Sequence, residues 1–316
     1  MSESSLAFVF PGQGSQKVGM LADLAAEYSQ VTETFSEAST VLGYDLWELV
    51  QKGPQEQLNL TERTQPLLLA ASVAVWRVWQ AQNGAPRPAF LAGHSLGEWS
   101  ALVAAGVVDF ADAVSLVQQR GKLMQEAVPA GQGGMAAIIG LDDADIIEAC
   151  ERGAEGEVVV PVNFNSPGQV VIAGASAAVD RAMALCKTAG AKRALALPVS
   201  APFHTALMRP AADGLAPKIE STEFRAPAIP VVHNANADTE SDPQAIKRLM
   251  IEQIYSPVLW VDCVRTLLGR GVNTVVECGP GKVLSGLNKR IDKSLNTLSI
   301  ETPDELRAVL QQVRGE

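Results

Sequence analysis

Residues 88–106 read PAFLAGHSLGEWSALVAAG, and the fold turns on how this stretch is read. The apolar run at 89–93 has strand character. Ser95 follows at once between Gly93 and Gly97, and a helical pattern then runs to Gly106. Gly93-His94-Ser95-Leu96-Gly97 fits G-x-S-x-G. On a sharp strand-to-helix turn such a serine projects its hydroxyl above the sheet, and small flanking residues let the backbone turn without a clash. The next N–H, that of Leu96, points toward a developing oxyanion with the help of the helix N-terminus. The same letters also suit a serine that begins a helix in an ordinary β-α loop. Glycine and serine are common, so the strand before and the helix after carry the nucleophile reading.

Working outward, LAFVF (6–10) reads as a short buried strand and PGQGSQ as a glycine-rich turn after it. Helical patterns follow over roughly 18–42 and through RTQPLLLAASVAVWRVWQAQ, with a further helix in FADAVSLVQQRGKLMQEAV that has Asp109 or Asp112 near its start. The rhythm then changes. MAAIIG, DDADIIEACERG, EVVVPVNFN, QVVIAG, SAAVDRAMALCKTAG and KRALALPVS read β-α-β-β-α-β, the split βαβ pattern of a ferredoxin-like unit. The spacing predicts a small domain at 134–200 inserted into a large one made of 1–133 and 201–316. Helix–strand alternation resumes afterwards, with a helix at 205–220, a strand in IPVVHN, two helices, a strand in TVVECG, a helix in KVLSGLNKRI, a strand in TLSI and a last helix. The large domain is expected to be α/β with a mainly parallel sheet.

The bulk properties narrow the function. The 316 residues carry a formal net charge of -10 and are 47% hydrophobic, enough for a sizeable core. An acidic surface argues against nucleic acid and anionic membrane as main partners. Four cysteines are scattered without a C-x-x-C pair or histidines at ligand spacing, which reads as reduced core thiols and no metal site. The first residues lack a basic segment and a long apolar run, so a soluble, cytoplasmic protein is expected.

A serine nucleophile needs a base, and the chain has three histidines, His94, His204 and His233. His94 adjoins the serine, and on such an elbow its side chain points away from it, suiting packing or hydrogen bonding beneath the turn. His233 ends a strand and reads equally as structural or catalytic. His204, in PVSAPFHTALM, lies where the inserted domain returns to the main one, a place from which it could overhang a cleft or simply begin a helix at the surface. FPGQGSQ lacks the G-K-[ST] ending of a phosphate loop. It reads instead as a loop supplying a second oxyanion donor, or as a plain glycine turn. Arg120, followed by Gly121 within an apolar helical pattern, is a weak hint of an anion site beside the ordinary reading of a solvated arginine.

Taken together, FVFPGQGSQ, GHSLGE, RGKLMQ, NFNSPGQVVIAG, PVSAPFH, ALM and ECGPGKVL occur in this order over the whole chain. The sequence closely resembles the malonyl-CoA:acyl carrier protein transacylases of bacterial type II fatty acid synthesis, and is similar to the acyltransferase domains of polyketide synthases. The resemblance implies an α/β-hydrolase-like large domain, the inserted ferredoxin-like domain, and an active site in the cleft between them. It implies Ser95 as the residue that becomes malonylated, His204 as general base and later acid, and Arg120 as partner of the free malonyl carboxylate. Backbone N–H groups of Gln13 and Leu96 are implied as the oxyanion hole. Gln253 is implied as the residue whose backbone carbonyl orients the histidine, and Asn165 as a pocket-side asparagine. Leu96 and Phe203 resemble the bulky choices of malonyl-selective relatives.

The implied reaction is ping-pong, with malonyl-CoA as donor and the phosphopantetheine thiol of acyl carrier protein as acceptor, no bound cofactor and no metal, in a monomer. Lys192, Arg193, Lys282, Lys289 and Arg290 are candidates for a basic patch facing the acidic carrier protein. The alternative is a serine esterase or thioesterase, for which the chemistry expects an acid after the serine and a late histidine. No histidine follows His233.

Overall fold

Alternate residues of the first strand, β1 (Leu6–Phe10), enter two different cores: Leu6, Phe8 and Phe10 face one, Ala7 and Val9 the other. A strand covered by helices on both faces must be apolar along its whole length, which is what LAFVF supplies. The computed structural model describes residues 5–199 and 201–314.

The chain continues through α1 (Ala22–Glu27), α2 (Ser29–Leu42), α3 (Leu46–Lys52), α4 (Gln55–Leu58), α5 (Thr61–Gln80), β2 (Phe90–Gly93), α6 (Leu96–Ala104) and α7 (Phe110–Glu126). A second unit holds β3 (Gly133–Ile139), α8 (Asp143–Ala154), β4 (Val159–Ser166), β5 (Gln169–Ala175), α9 (Ser176–Thr188) and β6 (Arg193–Ala196). After it come α10 (Arg209–Ser221), β7 (Val231–Val232), α11 (Pro243–Glu252), α12 (Trp260–Gly269), β8 (Thr274–Cys278), α13 (Val283–Ile291), β9 (Asn296–Ile300) and α14 (Pro303–Arg314).

The first sheet runs β7-β2-β1-β8-β9 with every neighbouring pair parallel. The second runs β4-β5-β3-β6 with every pair antiparallel. Numbered within its own unit, that order is 2-3-1-4, as a split βαβ repeat requires. The fold class is therefore α/β, with a parallel main sheet and a ferredoxin-like second sheet. Period-2 alternation decides how the second sheet packs. Ala136, Ile138, Val170 and Ile172 meet α8 and α9, while Met135, Val171 and Ala173 join the main core. Two backbone bonds stitch β4 to the main unit, Phe164 N–H to the Val258 carbonyl (3.0 Å) and Val258 N–H to that of Val162 (2.8 Å).

Local differences from the sequence reading have physical causes. α3 and α4 fill a stretch left without elements. The side chain of Asp45 caps α3 by accepting from Glu48 N–H at 2.8 Å. The strand expected in IPVVHN shortens to two residues, because His233 and Asn234 turn their polar groups toward other partners. The helix expected from 205 starts with a 3-10 turn at Ala206–Met208. Asp109 precedes α7 but does not cap it; it forms a two-pronged ion pair with Arg225 instead. Ser200, the last residue of the expected insert, lies outside the described residues, as do 1–4 and 315–316. All four cysteines are buried and unpaired, and burial pushes their thiols up, Cys150 to about 12.

Candidate active site

Ser95 sits between the end of β2 and the start of α6 at φ 51 and ψ -106. A residue with a Cβ avoids that conformation, at a cost of ~1–3 kcal/mol, unless its surroundings hold it there. They do. His94 N–H donates to the Phe10 carbonyl (3.0 Å) and Gly97 N–H to the His94 carbonyl (2.9 Å). Ser95 N–H donates to Asn234 Oδ1 (2.7 Å), and its carbonyl accepts from Gln253 Nε2 (2.8 Å). Gly93 and Gly97 are required by close approach. A Cβ on Gly93 would lie 2.0 Å from the Gly97 carbonyl carbon, and one on Gly97 2.0 Å from the Phe10 carbonyl oxygen.

The Ser95 Oγ lies 2.7 Å from His204 Nε2, and His204 Nδ1 lies 2.9 Å from the Gln253 carbonyl oxygen. A carbonyl can only accept, so Nδ1 carries the proton and Nε2 offers its lone pair to the serine hydroxyl. The member behind the histidine is thus a backbone carbonyl rather than a carboxylate. His204 is itself at φ 63, at the end of a turn locked by the Thr205 hydroxyl bonding to the Pro202 carbonyl (2.8 Å). Burial, helped by the positive charge of Arg120, pushes its pKa down to about 3. The imidazole is therefore neutral at physiological pH and ready to take a proton.

Arg120 comes from α7 and is buried. Gly121 lets α7 approach α5: a Cβ there would lie 2.5 Å from the Thr61 carbonyl oxygen. The guanidinium donates from Nη1 to Gln65 Oε1 (2.9 Å), and from Nη2 to Gln253 Oε1 (2.9 Å) and Ser95 Oγ (3.3 Å). Its Nε has no partner. Among the described residues, no carboxylate lies within ion-pair distance of it. Burial lowers its pKa to about 10, against the opposing field of Glu98, so it remains a cation at neutral pH. A buried cation of this kind, beside a serine hydroxyl, has the chemistry to hold an anion.

The remaining expected residues fall around this centre. Leu96 is buried and opens α6, so its N–H has no partner inside the helix. Gln13 follows Gly12, whose Cβ would lie 2.5 Å from the His94 carbonyl oxygen; the FPGQG loop thus closes directly on the elbow. Phe203 is buried beside His204 in sequence. Asn165 on β4 is engaged with a different histidine: its Oδ1 lies 2.8 Å from His94 Nε2, and the His94 ring rests against Trp260, centroids 5.6 Å apart. His233 is not brought to the serine; its Nδ1 lies 2.7 Å from Glu98 Oε1. Of the candidate basic patch, Lys282 pairs with Glu305 (2.6 Å) and Arg290 reaches Gln169 on β5.

Sequence reasoning missed the layer beneath. Glu98, Asn234 and the Gln253 side chain bond to each other and to the elbow. The available signals were a single acid in the apolar helix LGEWSALVA and a polar pair ending a strand in VVHN. A cavity of about 450 Å³ opens between Thr61, Lys122 and Val199, and neither Ser95, His204 nor Arg120 lines it. Among the described residues there is no cluster of His, Cys, Asp and Glu able to hold a metal ion, and no helix long and apolar enough to cross a membrane.

Comparison with known proteins is consistent along the whole chain. Malonyl CoA-acyl carrier protein transacylase of Salmonella typhimurium is 61% identical over 309 residues, spanning 98% of this chain and 100% of the relative. The crystal structure of an acyl carrier protein S-malonyltransferase from Vibrio cholerae is 62% identical, with a TM-score of 0.95, covering 97% of this chain and 100% of that one. A malonyl-transacylase in complex with a type II PKS acyl-carrier protein is 56% identical, with a TM-score of 0.96, covering 98% of this chain and 100% of that one. The acyl transferase domain family matches residues 7–300. With its serine elbow, its histidine and a match of that extent, this chain belongs to the acyl transferase domain family.

Proposed function

We propose that this protein transfers the malonyl group of malonyl-CoA to the phosphopantetheine thiol of an acyl carrier protein through a malonyl-Ser95 intermediate, and so supplies fatty acid synthesis. Donor and acceptor come from the activity for which its relatives are named. The single observation that carries the mechanism is the Arg120 guanidinium, buried 3.3 Å from the Ser95 hydroxyl with no carboxylate of its own in ion-pair range among the described residues.

In the first half-reaction Ser95 Oγ attacks the thioester carbonyl and gives its proton to His204 Nε2. The carbonyl oxygen becomes an oxyanion held by the N–H groups of Gln13 and Leu96. Collapse of the tetrahedral adduct breaks the C–S bond, and His204 returns its proton to the departing CoA sulfur. In the second half-reaction the carrier thiol gives its proton to His204 and attacks the malonyl ester, and the proton goes back to Ser95 as the ester bond breaks. Throughout, Arg120 holds the free carboxylate through its planar fork. Phe203 crowds the carbon between the two carbonyl groups, and Asn165 steadies the pocket wall through His94. Both substrates bring their own reactive groups, so no cofactor or metal takes part. The protein works as a cytoplasmic monomer without nucleic acid or membrane, and its domains are 134–200 and the remainder, 1–133 with 201–316.

Incubation with malonyl-CoA labelled in the malonyl group tests this. One label per chain on Ser95, discharged to holo carrier protein, is the expected result. Release of free malonate with no transfer would replace the reading with that of a thioesterase.

A further inference from the structure

Glu98 is a buried carboxylate to which the transfer chemistry gives no part. It accepts three hydrogen bonds. Its Oε1 takes His233 Nδ1 at 2.7 Å, and its Oε2 takes Asn234 N–H at 3.1 Å and Gln253 Nε2 at 2.8 Å. Each of the last two partners then grips the Ser95 backbone. Asn234 Oδ1 accepts from Ser95 N–H, and Gln253 Nε2 donates to the Ser95 carbonyl. Both N–H bonds of the Gln253 amide are thereby used, on Glu98 and on Ser95. Its Oε1 has one direction left, toward Arg120 Nη2 at 2.9 Å.

The amide could not sit the other way round. A flipped Gln253 would set its NH2 against the guanidinium, donor against donor, and its oxygen against the Glu98 carboxylate and the Ser95 carbonyl, acceptor against acceptor. The acceptor position of Glu98 therefore sets the orientation of Gln253, and Gln253 aims Arg120. We propose that Glu98 is a positioning residue for malonyl selection: by fixing the Gln253 amide it points the Arg120 guanidinium at the acyl carboxylate, and with Asn234 it clamps the elbow. This rests on the malonyl-transfer reading above and deepens it, since it names what holds the selectivity group in place.

The effect runs through hydrogen-bond geometry rather than through charge, and two conservative variants separate the two. Glu98→Gln keeps an oxygen at the Oε2 position, where two donors meet. Its NH2 then faces His233, which can move its proton to Nε2, an atom that has no partner, and accept at Nδ1 instead. Glu98→Asp keeps the charge in the same helical turn but withdraws the carboxylate from Gln253 by one methylene. The measurement is the ratio of kcat/KM for malonyl and acetyl thioesters, with thermal melting to establish folding.

The expected result is a ratio within about threefold of the parent in Glu98→Gln and a fall of tenfold or more in Glu98→Asp, most of it lost from malonyl transfer. The reverse order would show that the charge matters and overturn the proposal. Equal loss for both thioesters, or an unchanged ratio in Glu98→Asp, would reduce Glu98 to a structural residue and also overturn it. Failure of the unaltered protein to transfer malonyl would remove the functional reading itself, an outcome visible before either variant is made.

Discussion

The parallel and antiparallel sheets lie against one core, yet they contribute differently to the site. β1 and β2 of the parallel sheet end in the FPGQG loop and the serine elbow, and Ser95 there is held in a conformation it would not choose. Among the described residues, five non-glycine positions have positive φ. Ser95 and His204 are two of them, and they bond to each other. The antiparallel unit has one, Glu155, at φ 46 and ψ 36 where α8 ends, an ordinary left-handed helix terminus. Its contribution is a wall, Asn165 on β4 against His94, at a register shift of β4 between Phe164 and Ser166. Strain is stored where neighbouring groups over-determine a position; at Ser95 an amide on each side of the peptide does so. On the proposed mechanism, the comparison teaches that positive φ marks the two reacting residues, while the second sheet supplies the wall beside them.

The hardest way to break this division is to remove the dyad. Ser95→Ala is expected to abolish labelling by malonyl-CoA outright, read by mass spectrometry of the intact protein. His204→Ala should keep the melting temperature close to that of the parent and slow both half-reactions by ~10²–10⁴-fold, the usual contribution of a general base. Normal malonyl-enzyme formation in that variant would take His204 out of the mechanism.

Arg120 comes next. Leaving a buried charge without its partner costs ~3–5 kcal/mol, so acetyl-CoA should be disfavoured by about two to four orders of magnitude. Arg120→Ala should lose most malonyl transfer and gain relative acetyl transfer, with Ser95 still open to a serine-directed phosphonate. Arg120→Lys should recover only part, because an ammonium cannot reproduce the two-pronged fork. Unchanged preference for malonyl in Arg120→Ala would mean the carboxylate is held elsewhere.

How much of this was legible in the sequence follows from how local each feature is. The elbow is five consecutive residues with a strand before and a helix after, so pattern alone placed it. The second sheet was legible because its alternation of strands and helices is uninterrupted from Gly133 to Ala196. The Glu98, Asn234 and Gln253 layer was not, because it assembles from segments more than a hundred residues apart, each with an unremarkable local pattern. Gln65, which holds the other arm of Arg120, hid in an otherwise apolar helix. β7 was overextended in the reading because VVHN runs on into residues whose bonds leave the sheet: His233 Nδ1 meets Glu98, and Asn234 bonds Glu98, Gly93 and Ser95 through its backbone N–H and its side chain, which no strand period encodes.

A smaller effect sharpens the contrast between the two sheets through glycine. A Cβ on Gly97 would meet the Phe10 carbonyl oxygen at 2.0 Å, whereas one on Gly134 of β3 would meet nothing nearer than Ser176 Oγ at 3.7 Å. Backbone cannot yield as a side chain can, so Gly97→Ala should destabilise the protein by ~1–3 kcal/mol or more and disturb the elbow. Gly134→Ala should stay within ~0.5 kcal/mol of the parent. Denaturant midpoints measure both. Equal costs would mean that the elbow is no tighter than the wall.

The smallest expected effect is an absence of change with pH, and it probes the burial of the histidine most directly. Burial and the Arg120 charge hold the His204 pKa at about 3, and the proposed mechanism uses the neutral form. An ordinary imidazole with a pKa near 6.5 would be only ~3% neutral at pH 5 and would lose about 30-fold in rate between pH 8 and 5. Here the acylation kcat/KM, which reports the free enzyme, should change by less than about twofold over that range. The donor should be a malonyl thioester lacking phosphates, whose own titration would otherwise intrude. The same shift acts on stability with a definite sign. Between about 6.5 and about 3 the unfolded chain holds a proton on this imidazole that the folded chain does not, so the contribution present above 6.5 is lost as pH falls through that window. Replacing His204 with Gln should flatten that part of the stability profile relative to the parent. An acid limb in the rate near pH 6.5 would mean that the imidazole is solvated and the guanidinium's field unfelt, and the surroundings of His204 would then be no drier than the surface.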